Sequence, residues 1–411
     1  MARLNGAGFE VRHNPLRVSS PVVVVNTCGF IGDAKEESIN MILSMLDMKK
    51  KGKIGKVIVM GCLTERYMSD LKRELPEVDA WFGKFDWGGI TDFLNPEGNG
   101  KIVKPWDRIV STAPHYAYVK ISEGCNRKCA FCAIPFITGP HHSRPKTQIL
   151  DEVRGLAEKG VREFNIIAQD LSSYGLDLDH RQELPRLIDE MAGINGVEWI
   201  RLHYAYPAQF PMEILKVISQ HDNVCSYLDI ALQHISDTVL KNMRRHITSV
   251  ETRKLIEKIR ESVPEIHLRT TLMVGFPGEG DKEFEELLDF VSLQKFERMG
   301  AFAYSEEDDT WAAKTLPDII PDKVKQERLD RLMVLQESIS DELQRGKIGK
   351  RLKVIIDREE NEFYVGRTQW DSPDVDPEVL VTKSKKLIPG EFYDIKITSA
   401  FPFELYGEVA D

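Results

Sequence analysis

No stretch of this 411-residue chain approaches the roughly 20 consecutive apolar residues that a bilayer-spanning helix needs, which excludes such a span. Met1-Ala2-Arg3-Leu4-Asn5-Gly6 lacks the apolar run of a signal peptide, and the expectation is a cytoplasmic protein. Cysteine is scarce: six residues are too few for a disulfide framework in a chain this long. Low-complexity segments are absent, and so is any excess of positive charge. The 55 Lys and Arg face 65 Asp and Glu, a net −10. That balance excludes a chain that coats nucleic acid with its whole surface, but leaves room for a local basic patch or a basic protein partner.

What is present sorts into three stretches on pattern. With 42% hydrophobic residues the chain can bury a substantial core, and its length predicts two or three domains. The first stretch, 1–106, holds the β-branched run Val22–Val25, then Asn26-Thr27-Cys28-Gly29-Phe30 and a helix from about Ala34. Val57-Ile58-Val59-Met60 repeats the theme and ends in Gly61-Cys62 before a second helix. Apolar runs alternating with helices predict buried parallel strands, so both cysteines fall just past a strand's carboxyl end, where open α/β sheets place ligands.

The second stretch, 113–345, shows six strand candidates: Ala117–Ile121, Glu163–Ile167, Trp199–His203, Tyr227–Ala231, His267–Met273 and Met299–Phe302. Helix-period segments such as Ile149–Lys159 and Glu251–Val263 separate them. The repeat predicts an open six-stranded βα barrel in preference to a doubly wound sheet. A helix over Asp322–Leu343 follows, with Leu329, Leu332, Leu335, Ile339 and Leu343 as a core-facing stripe. The third stretch, 346–411, switches to short strands (Leu352–Ile356, Phe363–Val365, Val379–Val381, Phe392–Ile397, Leu405–Val409) and predicts a small antiparallel barrel.

The chemistry concentrates in Cys125-Asn-Arg-Lys-Cys129-Ala-Phe-Cys132, directly after the first barrel strand. Three thiolates this close can hold three irons of a four-iron, four-sulfur cube and leave one iron open. The open iron would chelate the amino and carboxylate groups of S-adenosylmethionine, whose reductive cleavage releases a 5′-deoxyadenosyl radical. Structural zinc is the bland alternative, with His141 and His142 as further ligands. Phe131 could pack on adenine or belong to the core. Cys225 stands alone and reads as a buried thiol.

Cys125-xxx-Cys129-x-Phe131-Cys132-x-Ile134-Pro135 resembles the radical S-adenosylmethionine methylthiotransferases. So do Asn26-Thr27-Cys28-Gly29-Phe30, Gly61-Cys62-Leu63, Ala168-Gln169-Asp170 with Ser173-Tyr174-Gly175, Gln233-His234, and Arg269-Thr270 with Val274-Gly275-Phe276-Pro277-Gly278-Glu279. The likeness is strongest to the branch that modifies an aspartate of ribosomal protein S-twelve, and it spans nearly the whole chain. It implies an amino-terminal methylthiotransferase domain, a radical barrel and a carboxyl-terminal TRAM barrel. It further implies two [4Fe-4S] clusters, with S-adenosylmethionine as second cofactor and a flavodoxin- or ferredoxin-type electron donor. The second cluster takes three cysteines in the family. Cys28 and Cys62 match two of them, while the first, in a Gly-Cys-x-x-Asn turn after an opening strand, has no counterpart here. The amino-terminal domain is therefore expected to be truncated.

Residues following the barrel strands are candidates to hold the cofactor: Gln169 and Asp170 after the second, His203, Tyr204 and Tyr206 at the third, Gln233 and His234 after the fourth. Each could equally cap the barrel mouth. Arg269, inside the fifth strand, reads as a bidentate donor to the cofactor carboxylate or as half of a structural ion pair. The Gly-rich Val274–Gly278 segment lacks dinucleotide-loop spacing and reads as a tight turn. Sister enzymes act on transfer RNA, and charge argues against that substrate. From Lys347 onward thirteen acidic residues face ten basic ones, which suits a basic ribosomal protein better than RNA. Asp371-Ser-Pro-Asp374-Val-Asp376-Pro-Glu378 is the densest acidic stretch. A zinc-binding adaptor without catalysis is the reading from a different class.

Overall fold

The computed structural model describes residues 1–14, 18–96, 98 and 108–410; the expected domain boundary at Trp106 and the terminal Asp411 lie outside them. Two compact units form. One comprises Met1–Ser111, Gly124–Pro140 and Ser305–Lys314, the other Thr112–Glu123, His141–Tyr304 and Thr315–Asp411. The units cut across the three stretches read from pattern: the cysteine-bearing loop groups with the amino-terminal region, and both barrels group together.

In the first unit, strands β1 (Ser20–Thr27), β2 (Ile54–Gly61) and β3 (Ala80–Gly83) form a parallel sheet in that order. Helix α1 (Gly32–Lys50) covers it, burying Ile42, Met45 and Leu46 on Val25, Val57 and Val59. β3 is only Ala-Trp-Phe-Gly, too short to show alternation, and pattern reading passes over it. Thr27 and Gly61 are register partners at the ends of β1 and β2, so the residues after them, Cys28 and the first residue of α2 (Cys62–Glu74), emerge side by side.

The second unit carries β4 (Tyr116–Lys120), β5 (Glu163–Ile167), β6 (Trp199–Ala205), β7 (Val224–Ile230), β8 (His267–Val274) and β9 (Arg298–Ala303), paired parallel in strictly sequential order with both edges open. A doubly wound sheet reverses its order at a switch point; none occurs here, and the sheet is the open six-stranded form. β7 begins three residues before the sequence reading because Cys225 sits inside it, buried, with its thiol pushed up to about 11 by that burial. Helix α3 (Asp322–Arg345) follows. Of its apolar stripe, Leu332 and Ile339 are buried, but so are Gln336 and Ser340. The latter two donate to the carbonyls of Phe296 and Pro402, which explains polar residues on an inward face.

Strands β10 (Arg351–Glu359), β11 (Phe363–Thr368), β12 (Glu378–Thr382), β13 (Phe392–Phe401) and β14 (Glu404–Val409) close into a barrel in the order β10-β11-β12-β14-β13. It is not wholly antiparallel: β12 and β14 pair parallel. Five strands cannot alternate direction all the way round a closed ring, so one parallel pairing is obligatory. Val354, Ile356, Val379, Val381, Ile395, Ile397 and Leu405 fill its interior.

Candidate active site

The cysteine loop is built by backbone. Gly124 has φ +75, and a Cβ there would lie 2.0 Å from the carbonyl oxygen of Pro140; only glycine lets the loop close on itself. The Cys125 N–H donates to the carbonyl of Gly139 at 3.3 Å. Lys128 is left-handed at φ 54 and turns the chain between the first two cysteines. The Arg127 N–H points at Cys125 Sγ at 3.5 Å, a donor suited to a thiolate or a cluster ligand. Ala130 and Ala133 are fully buried and anchor the loop, which the segment Ser305–Lys314 joins through Ala312 N–H to Ala130 O at 2.8 Å. Cys125, Cys129, Cys132 and Phe131 are left half-buried.

Three half-buried thiols on one loop, one of them facing the Arg127 N–H, are a donor set that suits an iron–sulfur cluster, while among the described residues no three His, Cys, Asp or Glu side chains are gathered as on a metal ion. His141, a ligand in the zinc reading, hydrogen-bonds through Nε2 with Ser143 Oγ at 3.1 Å. His142 lies 3.6 Å from Asp177.

Cys28 and Cys62 sit on an equally close-packed frame. A Cβ on Gly29 would lie 2.7 Å from Leu63 Cα, and one on Gly61 (φ +119) 2.4 Å from the Thr27 carbonyl oxygen. Ser38 Oγ accepts the Cys28 N–H at 2.9 Å and donates to its carbonyl at 3.1 Å. Arg66 donates to the Gly29 carbonyl at 3.0 Å and to the Asp308 carbonyl at 2.9 Å. Lys35 pairs with buried Glu307 at 2.9 Å. Cys28 is exposed and Cys62 half-buried.

In the second unit the strand-end residues divide by what holds them. Asp170 is buried and caps the short turn Leu171–Ser173, accepting from Ser172 N–H at 3.0 Å and from the Ser173 hydroxyl. Gln169 donates to Glu123 at 3.1 Å, while its carbonyl oxygen is buried without a partner. Gln233 has φ 71, exchanges backbone bonds with Thr271 and Met273, and likewise leaves a buried side-chain oxygen unpartnered. Such orphaned acceptors cost energy unless a ligand answers them. His234 Nδ1 accepts from Ser236 N–H at 3.0 Å, and its Nε2 faces Glu279 at 3.2 Å. Glu279 in turn caps Gly275 N–H at 2.9 Å and so closes the tight turn after β8. Tyr206 donates to the Arg245 carbonyl at 2.6 Å. Tyr204 is 53% exposed.

Arg269 is placed by its ion pair with Asp376, whose side chain is fully buried. It belongs to a seam between the amino-terminal ends of the barrel strands and the terminal β-barrel. Arg298 pairs with Asp371, and Tyr227 donates to Asp376 at 2.9 Å. Trp370 stacks on His267 at 4.4 Å. The acidic stretch 371–378 is thus largely spent inward rather than offered to a partner. Setting aside Asp357, Asp371 and Asp376, whose carboxylates are paired inward, with Arg367 and Lys347, ten acidic residues still face eight basic ones. The sign of the charge argument survives, but its densest patch does not. Sequence reading missed this seam; its signal is charged residues at alternate positions of strands, Glu163, Arg201, Arg269 and Arg298.

Family models match the radical SAM superfamily over residues 119–291, the TRAM domain over 348–410 and the uncharacterized protein family UPF0004 over 1–83. The chain is 56% identical to the ribosomal protein uS12 methylthiotransferase RimO of Parabacteroides distasonis, over 98% of this chain and 93% of that protein. It is 55% identical to the one from Phocaeicola vulgatus (100% and 94%) and 47% identical to that of Flavobacterium johnsoniae (100% and 94%). Among solved structures, the radical S-adenosylmethionine methyltransferase TsrM from Kitasatospora setae superposes with a TM-score of 0.54 at 14% identity, over 69% of this chain and 64% of that one. That likeness concerns fold alone.

Proposed function

The chain belongs to the RimO-type methylthiotransferases of ribosomal protein uS12, a branch of the radical S-adenosylmethionine enzymes, and we propose that it converts the β-carbon C–H of an aspartate in that protein to C–S–CH3. As a family member it is a transferase that uses a [4Fe-4S] cluster and S-adenosylmethionine. The observation that carries the reading is the Cys125–Cys132 loop, closed by Gly124 and turned by Lys128, with three half-buried thiols.

Cys125, Cys129 and Cys132 would hold the radical cluster. Bound there, S-adenosylmethionine supplies a 5′-deoxyadenosyl radical, which can take a hydrogen atom that no general base would remove. Gln169 and Gln233, with buried acceptor oxygens lacking partners, are assigned to the cofactor's donor groups. Asp170 acts one step back by fixing the turn that carries Gln169. Cys28 and Cys62, brought level by the β1–β2 register, are assigned as two ligands of a second cluster, and a flavodoxin- or ferredoxin-type protein as electron donor.

The test is mass spectrometry of uS12 after anaerobic incubation with the reconstituted enzyme, S-adenosylmethionine, sulfide and reductant. A gain of one methylthio group on an aspartate is expected, and excess transfer RNA should not suppress it, given the acidic terminal domain. Unmodified uS12 overturns the reading. Suppression by transfer RNA, with modified adenosine in its place, would favour the transfer RNA enzyme.

A further inference from the structure

Midway along the inner wall of the six-stranded sheet stands a layer of polar side chains, one from each of five neighbouring strands: Tyr118, Asn165, His203, Asp229 and Arg269. Tyr118 and Asn165 are register partners, as are Asp229 and Arg269. Between β6 and β7 the pairing slips. Leu202 faces Leu228 and Ala205 faces Ile230, so two residues, His203 and Tyr204, oppose the single Asp229. This is a β-bulge, a device that re-aims side chains beside active sites. Tyr204 takes φ 63 in it, a conformation that a bulky residue adopts only under constraint.

The bulge leaves Asp229 in an unusual position. Its carboxyl group is buried, accepts from the backbone N–H of Tyr204, and lies 3.9 Å from His203 Nδ1. His203 spends its other nitrogen on Asn165 at 3.1 Å. The cation nearest in register, Arg269, is already paired with Asp376. A buried carboxylate normally gathers several donors or a cation of its own, and Asp229 has neither. Asn165 adds a buried amide nitrogen without a partner. Tyr204, the next residue of the bulge, is 53% exposed.

We propose that Asp229, with the His203–Tyr204 bulge, is the positioning element that grips the side-chain carboxylate of the substrate aspartate, Asp229 donating a hydrogen bond to it in its protonated form. The assignment rests on the function proposed above and adds how the substrate's acidic side chain is read. Two carboxylates in contact cannot both stay ionised in a buried place, and one shared proton joins them. The groups around Asp229 set this up. Burial comes first and raises its pKa to about 7, with Asp376 of the terminal barrel adding to the rise and Arg269 of β8 opposing it. On β6, His203 is held neutral at about 3 by burial and by Arg201 and Arg269. On β7, the strand of Asp229 itself, Tyr227 is pushed far above its ordinary range by burial, then Asp376 and Asp229, and on β4 Tyr118 is pushed to about 12 by burial first. Asp229 is therefore the member of this layer whose proton is exchangeable near neutrality.

The experiment follows uS12-dependent 5′-deoxyadenosine formation by the reconstituted full chain from pH 6 to pH 9. The wild-type KM for uS12 is expected to rise by roughly tenfold per pH unit above about 7, as the donating proton is lost. Asp229→Asn keeps a donor at every pH and should flatten that rise. Asp229→Ala should raise KM at pH 6.5 by about tenfold or more, with a smaller effect on kcat. A wild-type KM without this rise, an Asp229→Asn profile that keeps it, or an Asp229→Ala KM within twofold of wild type at pH 6.5 overturns the proposal. Wild-type enzyme that ignores uS12 altogether sinks the function reading itself, and this one with it.

Discussion

Arg367 of the terminal barrel grips Glu163, the first residue of β5, with Nη2 to Oε2 at 2.7 Å and Nη1 to Oε1 at 3.1 Å, both side chains buried. The same guanidinium holds Asp357 through Nε at 2.7 Å, and Arg201 reaches Glu163 at 3.1 Å from β6. Burial alone would favour the neutral acid, but Arg367 and Arg201 reverse that and hold Glu163 below the usual carboxylate range. Glu163→Ala would take from buried Arg201 its carboxylate partner and leave buried Arg367 with Asp357 alone. The loss of stability should be about 3–5 kcal/mol, read by urea denaturation, and a loss under about 1 kcal/mol would contradict the role given to this cluster.

A second consequence concerns pH and stability. Asp229 titrates near 7 in the folded chain, against an ordinary value of 3.8. Its raised pKa means that the folded state binds the proton more tightly than the unfolded chain. The stabilisation is complete below the unfolded value and is lost as pH rises through about 7. Asp229→Asn, which cannot ionise, should match wild type near pH 4 and exceed it at pH 8 by up to about 4 kcal/mol. Urea midpoints at the two pH values decide it, and an Asn variant less stable than wild type at pH 8 would show that the carboxylate has a partner.

The loop glycine offers a third. Gly124→Ala adds a methyl group 2.0 Å from the Pro140 carbonyl at φ +75, so the loop must open. The backbone strain alone costs about 1–2 kcal/mol, and displaced thiols should leave the radical cluster under-loaded. Iron per chain after reconstitution measures this. Wild-type iron content in Gly124→Ala would mean that the cluster does not depend on the closed loop.

Much of this was legible in advance because strands and their period leave a trace in sequence. Glu163–Ile167 appears as read, and the other five barrel strands are shifted by three residues or fewer at either end. Long-range polar pairing leaves no such trace. Asp371 and Asp376 look like a solvated acidic loop until Arg298 and Arg269 are found opposite them. Arg269, readable as a cofactor ligand or as half of an ion pair, is seen in the pair. The His203–Tyr204 bulge was equally hidden, since a one-residue slip between strands depends on the partner strand and not on the local pattern. The cysteine cluster stands out because its spacing is local, although spacing alone leaves zinc open beside a cluster and the family motifs carry the choice.

The most direct test of the account compares the wild-type chain with Cys129→Ala, both reconstituted anaerobically with iron and sulfide, for 5′-deoxyadenosine formed from S-adenosylmethionine under reduction. With the three thiolates assigned as the ligands of the radical cluster, the variant is predicted to bind about four fewer irons per chain than wild type and to form no 5′-deoxyadenosine. Continued 5′-deoxyadenosine formation by Cys129→Ala would contradict the assignment of Cys125, Cys129 and Cys132, and with it the radical chemistry on which the proposed function depends.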